Sequence, residues 1–144
     1  MRFLSRRLVM PNDLNYANSL FGGRALEWID EEAAIYAICQ LETTCLVTKH
    51  ISEISFQSPA MQGDIVEFGL KTKSVGRSSI TVTCVVRNKA TKKTICLADS
   101  IVFVALDPVT RLPMPHGKNL ESLEKQTLEE IRSLNMEKPD ISNL

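Results

Sequence analysis

From Ser79 to Val86 apolar and polar positions alternate: Ile80, Val82, Cys84 and Val86 against Ser79, Thr81 and Thr83. A period of two predicts a strand with one buried face. Cys45 to Phe56, Asp64 to Val75 and Thr94 to Leu106 also have strand character, and the third strand runs from Ser78 to Asn88. Arg2 to Met10 predicts one more strand at the start of the chain, followed by a run of turn formers from Pro11 to Gly23. From about Gly23 to Leu41 the chain is rich in Ala, Leu, Ile and Glu and has no proline and no internal glycine. That stretch predicts the one long helix of the core. Gln62-Gly63-Asp64, Gly76-Arg77 and Asn88-Lys89-Ala90-Thr91 read as hairpin turns, which make the strands antiparallel neighbours. The expected architecture is therefore α+β: an antiparallel sheet wrapped around a long central helix. After Lys118 the pattern changes, with Leu120, Leu123, Thr127, Ile131 and Leu134 recurring at spacings of three and four. Residues 118–144 are read as a peripheral amphipathic helix and a frayed tail beyond Met136, appended to a domain of residues 1–117.

Composition narrows the function classes. The chain of 144 residues has the length of a single domain, and its 17 Lys and Arg balance 17 Asp and Glu. Zero net charge removes the simple electrostatic case for nucleic acid or an anionic membrane as partner. Cys39, Cys45, Cys84 and Cys96 have neither zinc-site spacing nor the density of a disulfide scaffold, so they read as buried reduced thiols. The N-terminus MRFLSRRLVM lacks the apolar core of a signal peptide, and no stretch is long enough to span a membrane. A cytoplasmic protein is expected.

Candidate chemistry centres on the long helix. Asp30 follows Leu26 by four positions and precedes Ala33 and Ala34, which puts it on or beside the apolar stripe. A carboxylate there needs a partner or has a catalytic use; alternatively, Glu27, Asp30 and Glu31 form one solvated acidic edge. Gly22-Gly23 also has two readings. The pair can simply turn the chain into the helix, or it can leave first-turn N–H groups open to a carbonyl oxygen. An open helix start and a carboxylate two turns later would together supply an oxyanion site and a general base.

Local charge departs from the neutral average, because Lys71 to Lys93 contains Lys71, Lys73, Arg77, Arg87, Lys89, Lys92 and Lys93 and no acidic residue. Its turn, Gly76-Arg77-Ser78-Ser79, sets a guanidinium and two hydroxyls beside a glycine, which suits phosphate oxygens. The same cations also fit the solvated guard of edge strands. Aromatic stacking platforms for nucleic acid are absent from the segment. His50 and His116 have no metal-ligand spacing, and no GxSxG elbow or recognisable cysteine nucleophile occurs. No metal is expected.

Several segments together carry a resemblance: Met10-Pro11-Asn12-Asp13-Leu14-Asn15, Leu20-Phe21-Gly22-Gly23, Trp28-Ile29-Asp30-Glu31, Ala33-Ala34, Ile54-Ser55-Phe56 with Pro59, Gly63-Asp64, Val75-Gly76-Arg77-Ser78-Ser79 and Phe103-Val104-Ala105-Leu106-Asp107. Over roughly residues 5 to 115 the chain resembles the hotdog-fold acyl-CoA thioesterases, in particular the short bacterial acyl-CoA hydrolases related to the cytosolic acyl-CoA hydrolase domains of animals. The resemblance implies hydrolysis of fatty acyl-CoA with no cofactor, coenzyme A being part of the substrate. It casts Asp30 as general base or nucleophile, Gly23 as the N–H donor that polarises the thioester carbonyl, and Asn15 as a positioner of substrate or water. Gly76, Arg77, Ser78 and Ser79 become the turn that contacts coenzyme A. It further implies a site between two subunits of a homo-oligomer, a dimer or trimer of dimers. Two departures stand out: Asn18 occupies a position where many relatives carry glycine, and Glu31-Glu32 adds two charges beside Asp30.

Other readings remain. A hotdog dehydratase needs a histidine on or near the central helix, and none occurs before His50. An acyl-CoA sensor without catalysis would use the same pocket, although the segment before Pro11 is short for a DNA-binding helix pair. A scaffolding oligomer with no ligand leaves the Gly-Arg-Ser-Ser turn without a purpose.

Overall fold

The computed structural model describes residues 1–136. The tail expected to fray, residues 137–144, lies outside them. Strand β1 is Arg2–Leu8, helix α1 Gly22–Leu41, and strands β2 to β6 are Leu46–Ile51, Ile54–Phe56, Ile65–Val75, Ser79–Asn88 and Thr94–Ala105; helix α2 is Leu120–Met136. A 3-10 turn at Pro11–Asp13 joins β1 to the approach to α1. The strands form a six-stranded antiparallel sheet in the order β1-β4-β5-β6-β2, with β3 paired to β6 beside β2.

Two local expectations fail. Cys45 to Phe56 is two short strands, not one, because the chain breaks at Ser52-Glu53 and both pieces pair with β6. The turn at Gln62-Gly63-Asp64 closes no hairpin, since β3 pairs with β6 whereas β4 pairs with β1 and β5. Glycine is needed there for its left-handed backbone, at a φ of 88°, and a turn of that composition looks the same whether or not its flanking strands meet. The turns after β4 and β5 are hairpins.

Helix α1 lies across the concave face. Ala25, Ile29, Ala33, Ala37 and Leu41 recur every four residues and are buried, so one stripe of mostly small side chains brings the helix close to the sheet. The sheet answers with Val66, Phe68 and Leu70 from β4, Ile80, Val82, Cys84 and Val86 from β5, and Cys96, Ala98, Ile101 and Phe103 from β6. The period of two slips between Ala98 and Ile101, where a bulge sets Val82 opposite Ile101 and Cys84 opposite Ala98. Leu123 of α2 is buried in the same core.

Only part of the cysteine expectation holds. Burial pushes the Cys84 thiol up to about 12 and the Cys96 thiol up to about 11, which makes both inert. Cys39 is exposed, on the face of α1 opposite the buried Ala37 and Leu41, and Cys45 is half-buried in the connection to β2.

The convex face is held by ion pairs. The Glu67 carboxylate, 2% exposed, receives Arg87 at 2.7 Å, Lys92 at 3.3 Å and Arg6 at 3.4 Å. Burial raises its pKa, but Arg87 and Lys92 lower it by more, and the net shift is downward. Asp99 is lowered by Lys73, and Asp107 by the backbone N–H groups of Thr110 and Val109. A depressed carboxyl pKa stabilises the fold above the unfolded value and loses that stability as pH falls through the native one. Urea midpoints should therefore be level from pH 7 to about pH 5 and fall below about pH 4; a midpoint constant down to pH 3 would contradict this account.

Candidate active site

Helix α1 starts at Gly22 with no side-chain cap; Phe21 supplies only its carbonyl, to the N–H of Ala25 at 3.0 Å. The N–H groups of the first turn are left for an external acceptor, with the helix dipole behind them. Glycine at position 23 leaves room for the Phe21 ring: a Cβ there would sit 2.6 Å from the tip of that exposed side chain, which would have to turn aside. Beside this helix start lies a mostly apolar cleft of about 350 Å³, lined by Gly22, Gly23, Leu26, Ile51, Ile54 and Phe56. On the other side of Phe56 a second cleft, of about 400 Å³, includes Asn15, Ser19, Gly22 and Pro59.

Asn15 is fixed by its own turn. Its Oδ1 accepts from the N–H groups of Ala17 at 2.9 Å and Ser19 at 3.1 Å. The oxygen is thus consumed internally, and the two donors of Nδ2 are what the side chain offers to the cleft. Asn18, the departure noted in the sequence, has a φ of 57°. Asparagine is one of the few residues other than glycine that adopt this left-handed conformation readily, so the turn keeps its shape.

Asp30 is half-buried and accepts a hydrogen bond from Thr48 Oγ1 at 2.8 Å. Glu27 and Glu31 beside it are exposed, but each is paired with an arginine. Glu27 pairs with Arg24 at 2.9 Å, and Arg7 reaches both Glu31 at 2.8 Å and Glu32 at 2.9 Å while its guanidinium lies 5.5 Å from the centre of the Trp28 ring. The charges beside Asp30 are thereby matched from β1, and Asp30 has no cation partner among the described residues. A single neutral hydroxyl thus fixes the orientation of the carboxylate.

Thr48 is the residue that sequence reasoning missed. It stands in β2, at the edge of the sheet, and nothing in its local pattern separates it from the other strand threonines. Only the packing of α1 across β2 brings it to Asp30.

The helix start and the carboxylate do not meet within one chain. Seven residues separate Gly23 from Asp30, a rise of roughly 10 Å at 1.5 Å per residue, too far for both to touch one carbonyl group. The Gly76-Arg77-Ser78-Ser79 turn occupies the same end of the sheet: Ser79 pairs with Val104, and Val104 pairs with Val47, the neighbour of Thr48. Gly76 lets the Ser79 hydroxyl fold over the turn: a Cβ there would fall 2.4 Å from Ser79 Oγ, which would have to rotate away. Arg77 is exposed. Of the basic segment, Lys73, Arg87 and Lys92 are committed to Asp99 and Glu67. Among the described residues no cluster of His, Cys, Asp and Glu could hold a metal ion, and no helix is long and apolar enough to cross a membrane.

Comparison with known proteins gives the family and the fold. Residues 17–95 match the model of the thioesterase superfamily. An uncharacterized acyl-CoA thioester hydrolase of Haemophilus influenzae is 31% identical over 128 residues, which cover 85% of this chain and 82% of the relative. Among solved structures, the hexameric thioesterase of Yersinia pestis superposes with a TM-score of 0.73 at 27% identity, covering 79% of this chain and 93% of the other. The acyl-CoA hydrolase of Staphylococcus aureus, solved with butyryl coenzyme A and coenzyme A, gives 0.69 at 25% identity, covering 92% and 87%. With the family model matching more than half of its length and the helix-wrapping sheet in place, the chain belongs to the thioesterase superfamily and has the hotdog fold.

Proposed function

We propose that this protein hydrolyses the thioester of fatty acyl-CoA to a free fatty acid and coenzyme A, with Asp30 as general base. The observation that carries the proposal is the half-buried Asp30 carboxylate, oriented by Thr48 and unpaired with any cation among the described residues. Asp30 takes a proton from water as the water oxygen attacks the thioester carbonyl carbon; the carbonyl oxygen becomes an oxyanion held by the Gly23 N–H. Collapse of the tetrahedral intermediate breaks the carbon–sulfur bond, and the proton held by Asp30 goes to the departing thiolate. No Ser-His-Asp triad is needed, because a thioester carbonyl is electrophilic enough for activated water. Coenzyme A enters as part of the substrate, and the reaction uses no cofactor.

Since one chain keeps Gly23 and Asp30 roughly 10 Å apart along α1, the working site combines Asp30 of one subunit with Gly23 of another. The edge strand β2 supports this reading, for it carries Thr48 and among the described residues no strand pairs with its outer side. Asn15 donates from Nδ2 to substrate or water, and the Gly76-Arg77-Ser78-Ser79 turn receives the nucleotide part of coenzyme A. The Staphylococcus aureus hydrolase lends further support: alanine variants of an asparagine, an aspartate and a threonine were made in it, the first two separated by as many positions as Asn15 and Asp30. Several structural neighbours are hexamers, and a dimer or trimer of dimers is the assembly expected in the cytoplasm.

The test is release of free thiol from acyl-CoAs of graded chain length. Turnover supports the hydrolase; tight binding without turnover would replace it by an acyl-CoA sensor.

A further inference from the structure

We propose that His116 is a positioning residue for coenzyme A, acting by clamping the Gly76-Arg77-Ser78-Ser79 turn from behind. His116 lies in the connection between β6 and α2. Its backbone N–H donates to the carbonyl of Arg77 at 3.2 Å. Its ring is oriented by the backbone N–H of Lys118, which donates to Nδ1 at 3.1 Å. Nδ1 is therefore the acceptor, Nε2 carries the hydrogen, and Nε2 donates to the carbonyl of Ser79 at 3.0 Å. The carbonyl of Ser78, between these two, receives the N–H of Ala105 at 2.7 Å. Three successive carbonyls of the turn are thus held from the protein side, which leaves the Arg77 side chain exposed on the other.

The clamp is itself fixed at both ends. Upstream, the N–H of Met114 donates to Ala105 at 2.9 Å, and Leu106 bridges to Pro113. Downstream, Gly117 adopts a φ of 71°, which brings the Lys118 N–H back onto the ring, and Lys118 Nζ pairs with Glu42 at the end of α1. A histidine in a merely solvated linker would not have both ring nitrogens and its backbone N–H committed.

The inference rests on the reading of this turn as the coenzyme A contact and deepens it. When a turn has its binding shape only part of the time, apparent affinity falls by that fraction while the chemical step on bound substrate is untouched. His116→Ala should therefore raise KM for acyl-CoA about 3- to 10-fold, the range for losing one net hydrogen bond, with kcat and thermal midpoint near those of the unaltered protein. His116→Gln, which can still present an N–H to Ser79, should restore KM; His116→Asn, too short to reach, should behave like alanine. An acyl-pantetheine substrate, which lacks the nucleotide, should show no KM difference among these variants.

Arg77→Ala separates the two levels of the argument. If it raises KM and His116→Ala does not, the positioning role is wrong and the turn keeps its assignment. If neither changes KM, both fall. A His116→Ala protein that loses stability or kcat with KM unchanged also overturns the proposal, as does a KM defect that persists with acyl-pantetheine. Should the alanine variant fail to fold, the contrast between His116→Gln and His116→Asn decides the matter.

Discussion

Replacing Asp30 by asparagine should lower kcat for acyl-CoA hydrolysis by about 10²–10⁴-fold, the loss typical for removal of a general base. The substitution keeps the volume of the side chain and an oxygen to accept from Thr48 Oγ1, now 2.8 Å from Asp30, so α1 and β2 keep their packing. What disappears is the group that takes the proton from water. KM should change little, because Asp30 lines neither of the clefts beside the helix start. Thr48→Val leaves the carboxylate in place but unoriented, and should cost less than the asparagine change. Steady-state thiol release with both variants checks the order. Unchanged turnover by Asp30→Asn would remove the carboxylate from the chemistry.

The second large effect is recovery of activity by mixing two dead proteins. Gly23→Pro removes the N–H that would hold the oxyanion; proline is tolerated in the first turn of a helix, and the exposed Phe21 ring can turn aside from the new Cβ, so circular dichroism should verify the fold. By itself this variant should lose on the order of 100-fold in kcat, as loss of one oxyanion donor does. If each site takes Asp30 from one subunit and Gly23 from its neighbour, a mixed pair with Asp30→Asn holds one site with both defects and one site with neither. After joint unfolding and refolding of equal amounts, random pairing makes half of the dimers mixed, so activity should return to about a quarter of the original level. A site contained within one chain gives no recovery, since every chain in the mixture carries a defect. Activity that stays at the level of the separate variants would therefore sink the shared site and leave the chemistry of Asp30 standing.

Much of this was legible in the sequence because its local periods are strong. The alternation from Ser79 to Val86 and the uninterrupted helical stretch ending at Leu41 each describe a surface that has only one good burial, and both elements are found within a residue or two of their expected limits. Asp30 and Gly23 stand out in the sequence for a different reason: a carboxylate near an apolar stripe and a glycine pair at a helix start are exceptions to local rules, whereas Asn15 is singled out by the family resemblance alone. What failed depends on pairing at a distance. Whether the turn at Gly63 joins neighbours is decided by β1 taking the edge of β4, and no property of residues 62–64 records that. Thr48 was invisible for the same reason. The charge expectation was half right: the basic stretch exists, but Glu67 and Asp99 lie across the strands from it and engage three of its cations.

Among the described residues strand β1 pairs only with β4, Arg2 opposite Leu70 and Leu8 opposite Ile65. As the polypeptide leaves the ribosome, its first strand and its central helix are complete by Leu41, yet the sheet that covers them does not begin to exist until residues 65–75 have been made. The apolar stripe of α1, with Trp28 and Ile29 in it, spends that interval without a partner, because non-local pairings cannot form before both halves are present. The need for protection during synthesis is therefore set by the order of the strands, independently of how stable the finished molecule is.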